Sequence, residues 1–294
     1  MEERMAKLAL AVARHAGEGR TTTPIAKVGL LKVSMCQALP PELYRPVVSL
    51  IVQGEKQLTI GSQVLTYRAG HTFTASLDLP VSAKITQASA DKPYLAISLA
   101  IDMRIVAEQI ANLPHAADRL SASGFSVDPA GAELLDAYHR ALGLIEQPED
   151  AQVMAPLLER ELVYRLLKGP QGAALKRLVT SQRRIGQVRD ALTLISQHYT
   201  EPFSVETVAT AVGMSSSAFH RRFKEATGMT PLQYHKTLRL YEARRLLLTE
   251  AVSASTVAFA VGYQSASQFT REYRRLFAES PKRDARAQGA PGAD

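Results

Sequence analysis

Residues Ala258–Pro281 read AFAVGYQSASQFTREYRRLFAESP. An apolar segment ends in Gly262 and a bulky side chain, and a serine-rich turn follows. Phe269, Arg271, Tyr273 and Arg274 then come at helical intervals, the pattern of a helix-turn-helix. Fifty residues upstream the pattern already stands once. There Phe219, Arg221, Phe223, Lys224 and the Thr230-Pro231 pair foreshadow Phe269, Arg271, Tyr273, Arg274 and Ser280-Pro281. Each copy follows an apolar segment, Val208-Ala209 to Gly213-Met214 and Val257-Ala258 to Gly262-Tyr263. A tandem pair of such modules implies a chain that reads DNA.

Charge placement agrees with that reading. Residues 181–288 hold 16 Lys and Arg against 9 Asp and Glu, whereas residues 1–180 hold 19 against 18. Almost all of the net +7 therefore falls on the repeat region, as a phosphate-binding surface requires. The 294 residues suffice for two domains, and 46% hydrophobic with 21% charged residues is ordinary globular composition. The single cysteine, Cys36, excludes an intrachain disulfide and a cysteine-based zinc site. Glu2 and Glu3 stand where a signal peptide needs positive charge, and no apolar run approaches ~18 residues. A soluble, cytoplasmic protein with no membrane partner is the expectation.

Working outward, Met1 to Arg20 is expected as an amphipathic helix. From Thr21 to about Ile101 the texture is that of strands: Val47–Val52, Gln57–Ile60, Gln63–Tyr67, Thr72–Ala75, Ser82–Thr86 and Leu95–Leu99, with turn signals between them. Short strands at this spacing predict an antiparallel barrel or jelly roll. Helical periodicity follows over Met103–Asn112, ended by Pro114, then over Pro129–Glu146 and Gln152–Leu167. Residues 171–185 are expected to connect the domains, partly as helix, and the tail after Arg286 to be disordered. The C-terminal domain parses into helices at Gln187–Tyr199, Val205–Val212, Ser216–Ala226, Pro231–Leu248, Thr256–Val261 and Ala266–Phe277, with a short one from Pro281. The fold class is α+β in two domains. An N-terminal cupin-like antiparallel β-barrel with accessory helices spans 1–180, and an all-α domain with helix-turn-helix motifs at 205–226 and 256–277 spans 187–286.

In such motifs the second helix enters the major groove and presents its N-terminal residues to base edges. With Phe219 and Phe223 inward, Ser217, His220 and Arg221 face out as candidate base readers. With Phe269 and Tyr273 inward, Ser267, Thr270 and Arg271 do the same. Arginine suits a bidentate contact with guanine, and the threonine methyl suits the thymine methyl. Ser215 and Ser265 as N-caps, with Arg222, Lys224, Arg274 and Arg275, are the candidate phosphate contacts. The helix Pro231–Leu248, 18 residues and roughly 27 Å, is long enough to carry both modules to successive turns of one duplex, ~34 Å apart.

At these residues the chain resembles the AraC/XylS family of bacterial transcription regulators, over about residues 187–286. The likeness implies sequence-specific DNA binding, with the base-reading positions falling on Ser217, His220, Arg221, Ser267, Thr270 and Arg271. One departure is Ala278, where the family carries Gly and the first copy has Gly228. The segments YRPVVSLIVQGEKQL, SLDLPVSAKITQAS and PLLERELVYRLLKGPQG are similar to the cupin-like sensor and dimerisation domain of one branch of the family. That implies a small-molecule effector, a homodimer and RNA polymerase as partners beside double-stranded DNA, with no cofactor and no catalysis. The alternative is a metal-dependent cupin enzyme or carbohydrate-binding module fused to a DNA-binding domain. It needs a histidine cluster, and His71 is the lone histidine among the strands. No Gly-rich phosphate loop or Gly-x-Ser-x-Gly elbow occurs either. Cys36, beside Met35, is expected as a small packing residue rather than a sensor.

Overall fold

The computed structural model describes residues 1–25, 27–113, 123–180, 184–250 and 252–287. Pro114, expected as a helix terminator, and the tail beyond residue 287 lie outside them. The chain divides into two compact units, residues 1–39 with 44–186, and residues 187–294 with the short segment 40–43.

The first unit opens with α1 (Glu2–His15) and continues through β1 (Gly19–Thr22), β2 (Val28–Val33), β3 (Gln37–Tyr44), β4 (Val47–Gln53), β5 (Glu55–Ile60), β6 (Gln63–Arg68), β7 (His71–Ala75), β8 (Leu79–Gln87) and β9 (Tyr94–Ala100). Then come α2 (Met103–Ala111), β10 (Phe125–Pro129), α3 (Ala132–Gly143), a 3-10 turn, α4 (Pro148–Lys168) and α5 (Gly172–Thr180). The strands form two sheets, ordered β1-β2-β9-β4-β7-β10 and β3-β8-β5-β6. The expected barrel is thus two facing antiparallel sheets rather than one closed ring of hydrogen bonds. Phe73 of the larger sheet meets Tyr44 and Tyr67 of the smaller at 6.0 and 6.1 Å between ring centroids.

Strand alternation decides which side chains go where. On β4 and β9, Val48, Leu50, Val52, Leu95, Ile97 and Leu99 join one core with Leu8 and Val12 of α1, Leu134 and Tyr138 of α3, and Leu162 and Leu166 of α4. The intervening residues, Ser49, Ile51, Tyr94 and Ala96 among them, take the other face, toward the smaller sheet. Four strands escaped the sequence reading. β1 takes Gly19 and Arg20, expected as the end of a helix, because α1 stops at His15. β3 carries Pro40-Pro41, a strong argument against a strand. β10 ends in Pro129, which pairs with His71 instead of starting a helix. β2, VGLLKV, lacks strict alternation. Residues 172–180, within the partly helical connection expected, form α5.

The second unit is helical: α6 (Arg184–Gln197), α7 (Val205–Ala211), α8 (Ser216–Thr227), α9 (Pro231–Thr249), α10 (Ala254–Ala260), α11 (Ala266–Phe277) and α12 (Pro281–Ala287). Four of these starts carry a serine whose oxygen accepts a backbone N–H of the first turn: Ser204, Ser215, Ser253 and Ser265. α9 opens with a full capping box, Thr230 and Gln233 exchanging hydrogen bonds, with Pro231 at the first helical position. Buried residues surround α9 instead of forming one stripe, because both modules pack on it. Tyr234, near its start, meets Phe223 edge to face at 5.5 Å. Leu240, Ala243 and Leu247 join Val257, Phe269 and Tyr273 in the second core, and Tyr241 meets Phe277 at 5.7 Å.

At mid-helix sits a half-buried polar joint. The Arg239 guanidinium donates to the carbonyls of Tyr199 (2.5 Å), Glu201 (2.8 Å) and Gly262 (3.0 Å). Gly262 has φ +87°, and a Cβ there would lie 2.2 Å from the Thr200 carbonyl oxygen. Neighbouring His235 is 3% exposed and stacks on Phe203 at 4.7 Å. Burial first and the Arg239 charge second pull its pKa down to about 4. Lower in the unit, Asp284 accepts from Arg244 at 2.7 and 3.1 Å and from the Tyr273 hydroxyl at 2.7 Å. Burial disfavours that carboxylate, but these hydrogen bonds outweigh it and hold its pKa below the usual range.

Both recognition-helix candidates end on a left-handed residue, Gly228 at φ 74° and Ala278 at φ 61°. An L side chain in that region costs roughly 1–2 kcal/mol. Ala278→Gly should therefore raise stability by up to ~1 kcal/mol, and Gly228→Ala should lower it by about as much, read by calorimetric unfolding. Equal and small effects from both would mean the left-handed turns carry no strain. His235 titrates near 4 folded and near 6.5 unfolded, so its contribution is complete above ~6.5 and falls as pH drops toward 4. Melting temperatures between pH 4.5 and 6.5 should slope less in His235→Phe than in the parent, and identical slopes would exclude His235 as the source.

Candidate nucleic-acid interface

The serine caps start α8 and α11 so that their first turns are defined from the side chain outward. Ser215 Oγ accepts the Ala218 N–H at 3.4 Å and Ser265 Oγ the Gln268 N–H at 3.3 Å. Both serines are exposed, and each keeps its own O–H proton for an outside acceptor. Phe219, Phe223, Phe269 and Tyr273 are at 0% exposure. With these anchored, helical geometry turns Ser217, His220, Arg221 and Lys224 of α8 into solvent, and likewise Ser267, Thr270, Arg271, Arg274 and Arg275 of α11.

On α11 those positions converge. Ala266, Ser267, Thr270, Arg271, Arg274 and Arg275 line one open concavity. Thr270 Oγ1 donates to the Ala266 carbonyl at 2.8 Å. Its hydroxyl proton is thus used by its own helix, and the side chain offers its methyl and lone pairs outward. Among the described residues, Arg221, Lys224, Arg271, Arg274 and Arg275 form no ion pair. Other cations of the unit are engaged: Arg244 with Asp284, Arg245 with Glu242, Arg283 with Glu279. Arg222 differs from the other candidates, being half-buried with its Nη1 3.4 Å from Gln187 Oε1 on α6. Gln187 in turn donates to the carbonyls of Val212 and Gly213 in the first turn. Arg222 therefore braces the turn, leaving Arg221 and Lys224 as the outward cations of α8.

Two participants were missed from sequence. Glu272 stands on the recognition helix as an acid, yet it accepts from Tyr263 Oη (2.8 Å) and Gln268 Nε2 (3.0 Å) and lies 3.7 Å from Lys236 Nζ. It is thereby tied down as scaffold, and it orients Gln268, an exposed residue in the first turn of α11. The four-residue Gln268–Glu272 spacing was the available signal. Arg239, between Leu238 and Leu240, gave a subtler one: a cation at an apolar stretch of helix. In the first unit, among the described residues, no three His, Cys, Asp or Glu side chains group so as to hold a metal ion. Cys36 is exposed, contrary to the packing role expected, and its Sγ lies 3.3 Å from the Thr86 carbonyl.

Comparison with known proteins adds identity to this geometry. Residues 208–287 match a helix-turn-helix domain model. The transcriptional activator RhaS of Enterobacter sp. (strain 638) is 31% identical over 140 residues, 47% of this chain and 49% of its own. RhaS of Pectobacterium carotovorum subsp. carotovorum (strain PC1) is 26% identical over 179 residues, 61% and 63% of the two chains. The chain thus spans about half the length of the first of these relatives and somewhat more of the second. Among solved structures, ToxT of Vibrio cholerae strain SCE256, bound to an unsaturated fatty acid, superposes with a TM-score of 0.59 over 88% of this chain and 93% of its own. At 11% identity the likeness is one of fold. Residues 24–174, more than half of the chain, match the model described as the N-terminus of AraC-type transcriptional regulators, and the chain belongs to that family.

Proposed function

We propose that this chain is a sequence-specific DNA-binding transcription factor whose N-terminal unit responds to a small molecule. The observation that carries the reading is the pair of serine-capped helices, α8 and α11, each presenting exposed cations that form no ion pair among the described residues. On this reading Arg221 and Arg271 read bases, joined by Ser217, His220, Ser267 and Thr270. Thr270, its proton donated inward, meets a thymine methyl. Lys224, Arg274, Arg275 and the hydroxyls of Ser215 and Ser265 hold phosphates.

The matched RhaS proteins are named activators, which supports a regulatory rather than catalytic role and contact with RNA polymerase. The fatty acid bound by ToxT supports an effector site on a shared fold. A second copy of the chain is the remaining partner. Val153, Met154 and Leu157 leave an exposed apolar strip on α4 that a second copy could cover. No helix among the described residues is long and apolar enough to cross a membrane, and the cytoplasm is the compartment where such a factor meets its duplex.

Selection from a random-sequence duplex pool, followed by gel shift on the enriched site, tests the reading directly. Arg221→Ala or Arg271→Ala should cost ~1–3 kcal/mol on that site and relax preference at one or two base pairs. Unchanged specific affinity would remove that helix from the groove. Lys224→Ala or Arg274→Ala should instead weaken binding to all sequences alike and make the salt dependence shallower by about one ion. A loss confined to the selected site would contradict the phosphate role.

A further inference from the structure

On the second recognition helix one exposed side chain is held more firmly than the stability of the helix requires. Gln268 stands in the first turn of α11, its backbone N–H bonded to Ser265 Oγ and its Nε2 donating to Glu272 Oε1 at 3.0 Å. Glu272 is itself fixed from two further directions. The Tyr263 hydroxyl donates to its Oε2 at 2.8 Å, and Lys236 of α9 brings its ammonium to 3.7 Å from Oε1. Lys236, Tyr263, Gln268 and Glu272 all line one cleft. Residues three apart are neighbours on a helix surface, so Gln268 borders the concavity that Arg271 lines.

The orientation of the amide follows from the acid. Burial works against the Glu272 carboxylate, but the bonds from Gln268 and Tyr263 and the Lys236 charge hold its pKa below the usual range. A carboxylate only accepts, so the amide turns its NH2 group toward Glu272. One of its two N–H bonds is spent there. The other N–H and Oε1 remain for an outside partner, a donor and an acceptor on one planar group. Adenine shows the complement on its major-groove edge, N7 as acceptor and the N6 amine as donor. Guanine shows two acceptors there, thymine one acceptor and a methyl, and cytosine a donor. Position agrees with chemistry, because the N-terminal residues of a recognition helix meet base edges. The first module lacks the device. At the matching positions stand Ala218 and Arg222, and Arg222 turns to Gln187.

We propose that Gln268 reads adenine in the base pair beside the one that Arg271 meets, and that Glu272, fixed by Tyr263 and Lys236, sets the amide for it. Glu272 is a positioning residue and touches no base. Holding the amide in advance removes rotamer freedom before the duplex arrives, so less is lost on binding. The inference rests on the DNA-reading function above and deepens it, giving the second module a base preference that the first does not share.

The full-length parent, Arg271→Ala, Gln268→Ala and Glu272→Gln are carried through one selection from a random duplex pool. Each is then titrated by gel shift on the parent's site and on versions with every other base at the adenine position. The parent should select an adenine adjacent to the pair whose preference Arg271→Ala relaxes. Gln268→Ala should lower the preference for that adenine about fivefold or more, the lower end for one bidentate pair. Its melting temperature and its affinity for unrelated duplex should stay those of the parent. Glu272→Gln removes a negative charge and should bind every duplex more tightly, yet its preference for adenine should fall several-fold. If the Gln268–Glu272 pair serves the helix alone, Gln268→Ala will lower the melting temperature or weaken all sequences alike and leave base preference unchanged. That result, an adjacent pair without adenine, or full adenine preference in Glu272→Gln would overturn the inference. A parent that selects no site would strike the DNA-reading function and this inference with it. A site that Arg271→Ala alters and Gln268→Ala leaves intact would strike this inference alone.

Discussion

A single guanidinium holds the C-terminal unit in register. Arg239 lies in the middle of α9, between the half that receives the first module and the half that receives the second. Its three bonds join the end of the first helix region, at Tyr199 and Glu201, to the turn of the second motif at Gly262. Burial lowers its pKa, but the ordinary value for arginine is so high that the group stays charged. A charge in that position demands acceptors, and only main-chain carbonyls brought close together supply them. Gly262 permits the approach, since any side chain would meet the Thr200 carbonyl and Arg239 Nη2 at once. The Tyr263 ring, 6.0 Å from the guanidinium carbon, closes the joint from the other side and passes the constraint to Glu272 and Gln268 on α11.

The two modules share a pattern and solve it with different chemistry. The first ends α8 on glycine and braces its turn through Gln187 and Arg222. The second ends α11 on Ala278 and compensates through α12, where Asp284 binds both Arg244 and Tyr273. A strained cap is tolerated where the following helix is anchored by a buried, charge-assisted network. The outward faces differ too, Ser217 and His220 against Ser267 and Thr270. Two copies of one fold element therefore present different side chains outward.

How much of this was legible from sequence depends on whether the signal was local. Helices α7 to α11 were placed within two residues, because serine caps, Pro231 and the glycine turns mark their ends one by one. The strands between Val47 and Leu99 were also plain from alternation and turn residues, save that β8 takes in Leu79-Pro80, expected as a turn. β3 and β10 were hidden by prolines that pair at strand positions only in the context of the sheet. α4 extends four residues earlier than its apolar pattern, starting at Pro148, and runs through Pro156. The exposed faces of α8 and α11 followed from helical spacing alone. Arg222 did not, since its inward turn depends on Gln187, 35 residues away.

One local loss that folding alone would have removed stands out in the second unit. Arg271, Arg274 and Arg275 occupy neighbouring positions on one helix, and like charges at that spacing cost a few tenths of a kcal/mol each. Glu272 offsets Arg271 in part but is tied to Tyr263, Gln268 and Lys236. Arg274 and Arg275 form no ion pair among the described residues, and on the proposed reading a duplex phosphate is the anion that would meet them.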